Sequence, residues 1–327
     1  MAQVVEAPDG CRLSVEFSGA PPGKPAVFLL HGTPGTLLGP RPRGIFLHRL
    51  GIRLISYNRP GYPGSSRRKG RSVADAALDV KAIADHFGIE RFSVIGRSGG
   101  APHALACAAA ANLRDRVVCA AALSSLAPLD AEGLDWFLGM AESNIRAYQD
   151  AESDLPTLIT TLNQHAGQVR NNSQGLLNML WPELVGSDKQ VIGDIGLRRL
   201  IAQTHAEALS ESADGWIDDV IALSSPWGFR LSDITAPVRL WHGCDDVFSP
   251  AAHTHWLMKR ISTAEPDVRP GIAHFAAVEI LPEILRWVLR KVKAAACSER
   301  LRVDDAQQPA LLASGAHIGV FSPDRGR

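Results

Sequence analysis

The segment Gly96-Arg97-Ser98-Gly99-Gly100 has the residue types of a nucleophilic serine presented on a tight turn. It directly follows the apolar run FSVI and precedes the alanine-rich stretch APHALACAAAA, so a strand is predicted before the turn and a helix after it. A G-x-S-x-G match indicates acyl-transfer chemistry only in this strand–turn–helix context. The competing interpretation, a dinucleotide or phosphate loop, lacks both G-x-G-x-x-G and a following Gly-Lys-Ser or Gly-Lys-Thr. The sequence therefore predicts that Ser98 is a catalytic nucleophile.

A second loop, His31-Gly32-Thr33-Pro34-Gly35, follows the apolar run AVFLL and can supply the backbone donors that acyl transfer requires. Such a reaction needs N–H groups directed at the position where the tetrahedral oxyanion forms. Gly99, the residue after the nucleophile, is predicted to supply one of them. Pro34 has no N–H to donate, so Thr33 is predicted to supply the other. His31 is expected to hydrogen-bond within the loop and to hold its shape.

A nucleophilic serine also needs a base, and the base needs an orienting carboxylate. With the serine on such a turn, the expected chain order is Ser, then Asp or Glu, then His. Asp246 follows the predicted strand VRLWHG, at the edge where open α/β sheets bind ligands, and His274 precedes the last predicted helix. We therefore predict a catalytic triad of Ser98, Asp246 and His274, in which His274 is the base. Asp245 and Asp130 remain alternatives for the acid.

Other residues with metal-binding or catalytic potential are predicted to be structural. His103 lies on the helix that follows the nucleophile and is expected to pack. His253 and His255 look like a metal-binding pair, but helical residues two apart point to different faces. The five cysteines are scattered without a C-x-x-C pair, which argues against a zinc cage and against a disulfide framework. No metal and no cofactor are predicted.

Short apolar runs and helical patterns alternate along most of the chain. Strands are predicted at 11–18, 26–30, 53–57, 92–96, 117–123 and 238–243, and helices at 72–88, 100–112, 251–261 and 276–294. Such alternation is typical of βαβ units around a parallel sheet. From about 129 to 232 the pattern is helical, with examples at 130–149 and 196–212. We therefore predict an α/β core formed by 1–128 and 233–297, a helical cap at 129–232 and a flexible tail at 298–327.

Composition and charge restrict the partners. The chain has 34 Lys+Arg and 34 Asp+Glu, so it lacks the basic excess expected for binding nucleic acid or an anionic membrane. No apolar run approaches the roughly 20 residues needed to span a bilayer. The N-terminal residues have neither the basic nor the apolar region of a signal peptide. These features predict a cytoplasmic protein that acts on a small-molecule substrate.

Together these motifs resemble the α/β-hydrolase superfamily, specifically its capped members with an HG-x-P oxyanion loop. The resemblance covers about residues 1–294 and includes Arg59-Pro60-Gly61-Tyr62, which is similar to the family's turn after an early strand. It implies an α/β-hydrolase fold, with a mostly parallel eight-stranded sheet flanked by helices and a helical cap inserted after the sixth strand. It also implies that the acid is the Asp of a G-x-x-D pattern, which the segment Gly243-Cys244-Asp245-Asp246 matches at Asp246.

The resemblance implies a serine hydrolase that acts on carboxylic esters or related acyl compounds. The HGTPG loop is similar to that of proline iminopeptidases, but their elbows are of the G-G-S-W-G kind, whereas this chain has G-R-S-G-G. Dehalogenases and epoxide hydrolases use an aspartate nucleophile, so Ser98 argues against both. An acyltransferase, a perhydrolase, a lyase and a ligand-binding receptor on the same triad remain alternatives.

The predicted cap supplies candidates for a substrate pocket. Aliphatic and aromatic side chains closing over the triad would exclude water and favour apolar acyl or alcohol groups. The cap carries charges of both signs, so no single-sign field is expected to recruit ionic substrates. We therefore expect small uncharged esters or lactones as substrates. The predicted substrate-binding residues are Trp136, Met140, Trp181 and Trp227.

Overall fold

The computed structural model describes residues 2–307 of the chain. Within this range the strands form one eight-stranded sheet: β1 (Gln3–Glu6), β2 (Arg12–Gly19), β3 (Ala26–Leu30), β4 (Arg53–Tyr57), β5 (Phe92–Arg97), β6 (Val117–Leu123), β7 (Val238–Gly243) and β8 (Ala264–Arg269). Their spatial order is β1-β2-β4-β3-β5-β6-β7-β8. Strand β2 pairs antiparallel with β1 and β4, and all other pairs are parallel, which confirms the predicted mostly parallel sheet.

Helices cover the sheet and form the cap. In chain order they are α1 (Gly44–Leu50), α2 (Ala76–His86), α3 (Gly100–Ala109), α4 (Glu142–Ser153), α5 (Leu155–Asn171), α6 (Gly175–Leu180), α7 (Gly186–Gly193), α8 (Ile195–Ala208), α9 (Asp214–Leu223), α10 (Ala251–Met258), α11 (Ala276–Glu279) and α12 (Leu281–Gln307). Helices α4 to α9 all lie between β6 and β7, so the cap is inserted after the sixth strand, as predicted. No helix among the described residues combines the length and the apolar character needed to cross a membrane.

The central strands are apolar on both faces because both faces are covered. In β3, Phe28 belongs to a buried cluster that includes residues of α2 and α3. Its neighbour Val27 belongs to a second cluster that includes residues of α1 and α12. Parallel sheets with helices on both sides require such continuous apolar strands. This arrangement fixes the carboxyl ends of β5, β6 and β7 along one edge, where the candidate site lies.

Several boundaries differ from the sequence-based prediction. The helix predicted at 130–149 begins only at Glu142, and Gly133 and Gly139 before it have positive φ values that a right-handed helix does not accommodate. Helix α12 extends through residues 298–307, the first part of the predicted flexible tail at 298–327. Residues 308–327 of that predicted tail lie outside the described part of the chain.

Candidate active site

Ser98 lies on the turn between β5 and α3, where its backbone adopts a φ of 52°. A residue with a side chain rarely adopts positive φ, since its Cβ then crowds the backbone. The turn is also tightly packed. A Cβ on Gly96 would lie 2.1 Å from the carbonyl oxygen of Gly100, and one on Gly100 would lie 2.4 Å from that of His31. These approaches explain why glycines flank Ser98.

The structure brings the three predicted triad residues together. Ser98 Oγ lies 3.0 Å from His274 Nε2, and His274 Nδ1 lies 2.8 Å from Asp246 Oδ2. Ser98 follows β5, Asp246 follows β7, and His274 follows β8, so the shared edge of the sheet positions all three. In this geometry Nδ1–H donates to the carboxylate, which leaves Nε2 free to accept the Ser98 hydroxyl proton.

Asp246 is held by the turn that follows β7. Its Oδ1 accepts hydrogen bonds from the backbone N–H groups of Phe248 and Ser249, each at 2.9 Å. Burial acts to raise the pKa of Asp246, but the positive character of His274 and hydrogen bonds from His242 and His274 outweigh burial and hold this pKa well below its usual range. Asp246 is therefore ionised and able to orient the imidazole.

The alternative acids are exposed, unlike Asp246. Asp245 and Asp130 are both exposed at the surface, whereas Asp246 is buried against His274. The geometry therefore favours Asp246 over the other two carboxylates.

The protonation of His274 follows from two opposed effects. Burial acts to lower the pKa of His274, but the charge of Asp246 and the hydrogen bond to it outweigh burial, so the pKa is raised above its usual value. Asp188, on cap helix α7, adds a further negative charge and accepts a 2.8 Å hydrogen bond from the backbone N–H of Phe275. The positive charge of Arg97 acts in the opposite direction.

The predicted oxyanion loop packs directly on the nucleophile turn. A Cβ on Gly99 would lie 2.3 Å from Thr33 Oγ1, so the loop and the turn nearly touch at the two predicted donors. Within residues 2–307, the backbone N–H groups of Thr33 and Gly99 have no protein acceptor. As expected, His31 is bonded within and beside its loop, with Nδ1 2.8 Å from the oxygen of Gly32 and Nε2 accepting from the N–H of Arg59.

Asp219, on cap helix α9, fixes this loop and was not singled out from the sequence. Its carboxylate accepts hydrogen bonds from Thr33 Oγ1 at 2.6 Å, from Tyr62 Oη at 2.8 Å, and from Arg59 and Arg71 at 2.5 Å. Burial acts to raise the pKa of Asp219, but the two arginines outweigh it and hold the pKa well below its usual value. The sequence of α9 offered one signal for this role, because Asp219 lies among apolar residues that are buried.

A cavity of about 760 Å³ extends from the triad into the cap. Ser98, Gly99, Thr33 and His274 line its inner end. Much of the remaining wall is apolar and comes from cap helices, including Tyr148, Leu158, Leu162, Leu176, Met179 and Trp216. The exposed side chains of Glu142, Ser143 and Arg146 also line it and mark the side that meets solvent.

The four substrate-binding residues predicted in the cap do not line this cavity, so that prediction is wrong. Trp136 and Met140 are buried in the core, where Trp136 Nε1 donates to the oxygen of Ala127. Trp227 is buried and stacks on Phe229. Trp181 is 37% exposed. Large apolar side chains are needed to attach a cap to its core, and composition alone does not separate that role from pocket lining.

The three other histidines weighed in the sequence, His103, His253 and His255, lie outside the candidate triad. His103 is buried, with Nδ1 2.7 Å from the oxygen of Gly99, and burial lowers its pKa to about 3. His253 is buried and bonded to the backbone of Ala127 and Trp136, whereas His255 is exposed, so they face different directions as expected. Among the described residues no group of three or more potential ligands could hold a metal ion.

The sheet order, the turn at Ser98 and the cap after β6 together define the architecture of an α/β hydrolase. The family model described as the alpha/beta hydrolase fold matches residues 25–276, and the chain belongs to this family.

Solved structures of the same fold are similar over most of the chain. An enol-lactonase from Burkholderia xenovorans is 17% identical, with 89% of this chain and 100% of that chain covered at a TM-score of 0.65. A thermophilic esterase from Thermogutta terrifontis, solved with malate bound, is 19% identical, with 89% and 99% covered at a TM-score of 0.64. A bromoperoxidase from Bacillus anthracis is 17% identical, with 90% and 100% covered at a TM-score of 0.64. At these identities the likeness concerns the fold.

Replacing Asp219 should destabilise the protein strongly. Asp219→Asn leaves two buried arginines without a counter-charge, and breaking a buried ion pair in this way costs about 3–5 kcal/mol. We expect that loss in the free energy of unfolding measured by urea denaturation. Asp214→Asn is the matched control on α9, because Asp214 is 38% exposed and pairs only with the surface residue Arg67; its cost should stay below about 1 kcal/mol. Equal losses in the two variants would contradict the role assigned to Asp219.

Proposed function

We propose that this protein is a serine hydrolase that cleaves small carboxylic esters or lactones through an acyl-enzyme on Ser98. The observation that carries the proposal is the continuous hydrogen-bonded chain from Ser98 through His274 to Asp246 at the inner end of the cavity. A serine, a base and an orienting acid in this order are the parts that nucleophilic acyl transfer requires.

The first half of the reaction forms the acyl-enzyme. His274 Nε2 takes the hydroxyl proton while Ser98 Oγ forms a bond to the carbonyl carbon. The carbonyl oxygen becomes an oxyanion, and the N–H groups of Thr33 and Gly99 are the donors positioned to stabilise it. Protonated His274 then gives its proton to the alkoxide leaving group as the carbon–oxygen bond breaks. Asp246 keeps the Nδ1–H oriented and stabilises the imidazolium throughout.

The second half regenerates the enzyme with water. His274 accepts a proton from water as the hydroxide oxygen bonds to the acyl carbon. The resulting oxyanion occupies the same two-donor site. The bond between Ser98 Oγ and the acyl carbon then breaks as His274 returns the proton to Oγ, and the carboxylic acid is released. For a lactone, the leaving alkoxide and the acid belong to one molecule.

The cation Arg97, next to Ser98, favours an ester or lactone over the free N-terminus of a peptide. An aminopeptidase must bind a free ammonium group next to the scissile bond, which calls for a nearby carboxylate. The acids that line this cavity, Glu142, Asp150 and Glu183, belong to cap helix α4 and the segment after α6. The charged residue adjacent to Ser98 is the cation Arg97. Esterases and an enol-lactonase among the similar folds support the same conclusion.

A fluorophosphonate probe should label Ser98 and no other serine of the folded protein. The reason is that, of the serines in residues 2–307, only Ser98 lies within hydrogen-bonding distance of the unprotonated imidazole nitrogen. Peptide mapping by mass spectrometry checks the position. Ser249→Ala is the control, because Ser249 Oγ lies 3.4 Å from the other ring nitrogen, and this variant should still be labelled at Ser98. Labelling of a different serine, or of none, would overturn the proposal.

Removal of the orienting acid should nearly abolish turnover. Asp246→Asn is expected to lower kcat by about 10⁴, the loss seen when a triad aspartate is replaced in the serine-protease template. Asp245→Asn and Asp130→Asn are the controls, and both should retain most of the activity because their carboxylates are exposed. The measurement is kcat on a short-chain ester. A comparable loss of kcat in Asp245→Asn would show that the orienting acid is Asp245 and not Asp246.

The activity should fall on acidification with an apparent pKa above the ordinary histidine value of about 6.5. Only neutral His274 can accept the Ser98 proton, and Asp246 raises the pKa of His274, so protonation begins at a higher pH than for a free imidazole. A profile of kcat/KM between about pH 5 and pH 9 reports this group in the free enzyme. In Asp246→Asn the residual activity should show the acidic limb at lower pH, whereas Asp245→Asn should leave it in place. If the apparent pKa of the acidic limb is unchanged in Asp246→Asn, Asp246 does not raise the pKa of His274.

A further inference from the structure

One arginine that lines the cavity has no counter-charge. Arg97 is the last residue of β5 and the immediate neighbour of Ser98. Within residues 2–307 its guanidinium forms no ion pair and no hydrogen bond, and Nη1 is fully enclosed without an acceptor. Burial lowers the pKa of Arg97 to about 10, so the group still carries its charge at neutral pH.

The other enclosed arginines of the core are compensated. Arg59 and Arg71 share the carboxylate of Asp219, and Arg68 lies 2.7 Å from Asp79. An enclosed charge is costly unless a partner with good hydrogen-bond geometry is supplied. The exception is Arg97, which lines the cavity with Ser98. A partner that arrives with the substrate would account for it.

His205 supplies a second unmatched polar group in the same cavity. It lies on cap helix α8, is 9% exposed, and its Nδ1 is enclosed without a partner. Burial and then the positive charge of Arg97 lower the pKa of His205 to about 4, so the ring is neutral and carries one N–H donor. Arg97 from the core and His205 from the cap therefore line the same cavity as Ser98.

We propose that Arg97 and His205 form a subsite for a carboxylate of the substrate, beside the ester or lactone carbonyl that Ser98 attacks. The inference rests on the proposed function and names its substrate class: half-esters of dicarboxylic acids, or lactones that carry an acid group. The planar guanidinium matches a carboxylate with two parallel N–H donors. One fixed positive charge also balances one carboxylate, whereas a phosphate monoester carries nearly two negative charges.

This assignment replaces the expectation of uncharged substrates. That expectation considered the mixed charges of the cap as a whole. The cation that matters belongs to the core, at the residue before the nucleophile, and the cap contributes a neutral histidine. The apolar wall formed by Leu158, Leu162 and Leu176 remains suited to the hydrocarbon part of the molecule.

The first test compares half-esters with their neutral diesters. We expect wild-type kcat/KM to be higher for monomethyl succinate or monomethyl glutarate than for the dimethyl esters. In Arg97→Met the half-ester to diester ratio should fall by about 10²-fold, mainly through KM, because a buried charge-assisted pair is lost. Arg146→Met is the matched control, since Arg146 lines the same cavity but pairs with Glu142; it should keep the wild-type ratio. Arg97→Lys retains the charge and should recover part of the ratio.

The second test measures binding without turnover. Ser98→Ala should bind succinate or glutarate by calorimetry, and the double variant with Arg97→Met should not. If Arg97→Met fails to fold, His205→Phe carries the test, with an expected loss of about tenfold in the ratio and in succinate affinity. Inorganic phosphate is measured alongside, and phosphate binding that is tighter than either dicarboxylate overturns the choice of carboxylate.

The two tests separate failure of the subsite from failure of the proposed function. Equal hydrolysis of half-esters and diesters, together with Arg97-independent succinate binding, overturns the subsite and leaves the ester hydrolase in place. Arg97-dependent succinate binding without hydrolysis of any ester supports the subsite and overturns the hydrolase. If the protein neither binds succinate nor hydrolyses any ester, both the subsite and the proposed function are overturned.

Discussion

A single buried carboxylate, Asp219, ties together the parts of the protein that the site needs. It belongs to the cap, yet its hydrogen bonds go to the oxyanion loop through Thr33 and to the turn after β4 through Arg59 and Tyr62. Arg59 in turn donates to the carbonyl oxygens of His31 and Gly32. Two buried cations on one anion are stable only while all of them are present and in contact. The position of the proposed oxyanion donors therefore depends on the docking of the cap.

The cap also contacts the loop that carries His274, on the other side of the proposed triad. Asp188 on α7 accepts a hydrogen bond from the backbone N–H of Phe275, the residue after the base. One cap carboxylate therefore contacts the oxyanion loop and another contacts the histidine loop. The cap therefore does more than line the cavity. Its carboxylates also hold the two loops that carry the proposed oxyanion donor Thr33 and the proposed base His274.

The sequence was most informative where local patterns decide the outcome. The strands at 26–30, 53–57, 117–123 and 238–243 were predicted with the bounds that the structure has, because buried parallel strands are continuous apolar runs. Strand β8, with the sequence AEPDVR, was missed because it is a partly exposed edge strand without such a run. Strand β1 and the short helix α1 have similarly weak patterns.

Sequence reasoning was less informative where distant segments meet. The triad could be proposed because each member follows a recognisable strand or loop in a known order. The lining of the cavity could not be predicted, because a tryptophan in the cap, such as Trp136, looks the same in the sequence whether it packs on the core or faces a substrate. The pairing of Asp219 with Arg59 joins residues 160 positions apart, and no local pattern encodes it.

The contrast between paired and unpaired arginines links stability to specificity in this fold. Arg59 and Arg71 have their charges neutralised by Asp219, so they can hold a loop rigidly without attracting a ligand. Arg97 lies one residue before Ser98, and its positive charge acts to lower the pKa of both His274 and His205. An anion bound there would be fixed relative to Ser98 by the same strained turn that presents the nucleophile. Recognition and attack would then share one element, the end of β5, and would not depend on the exposed side chains at the mouth of the cavity.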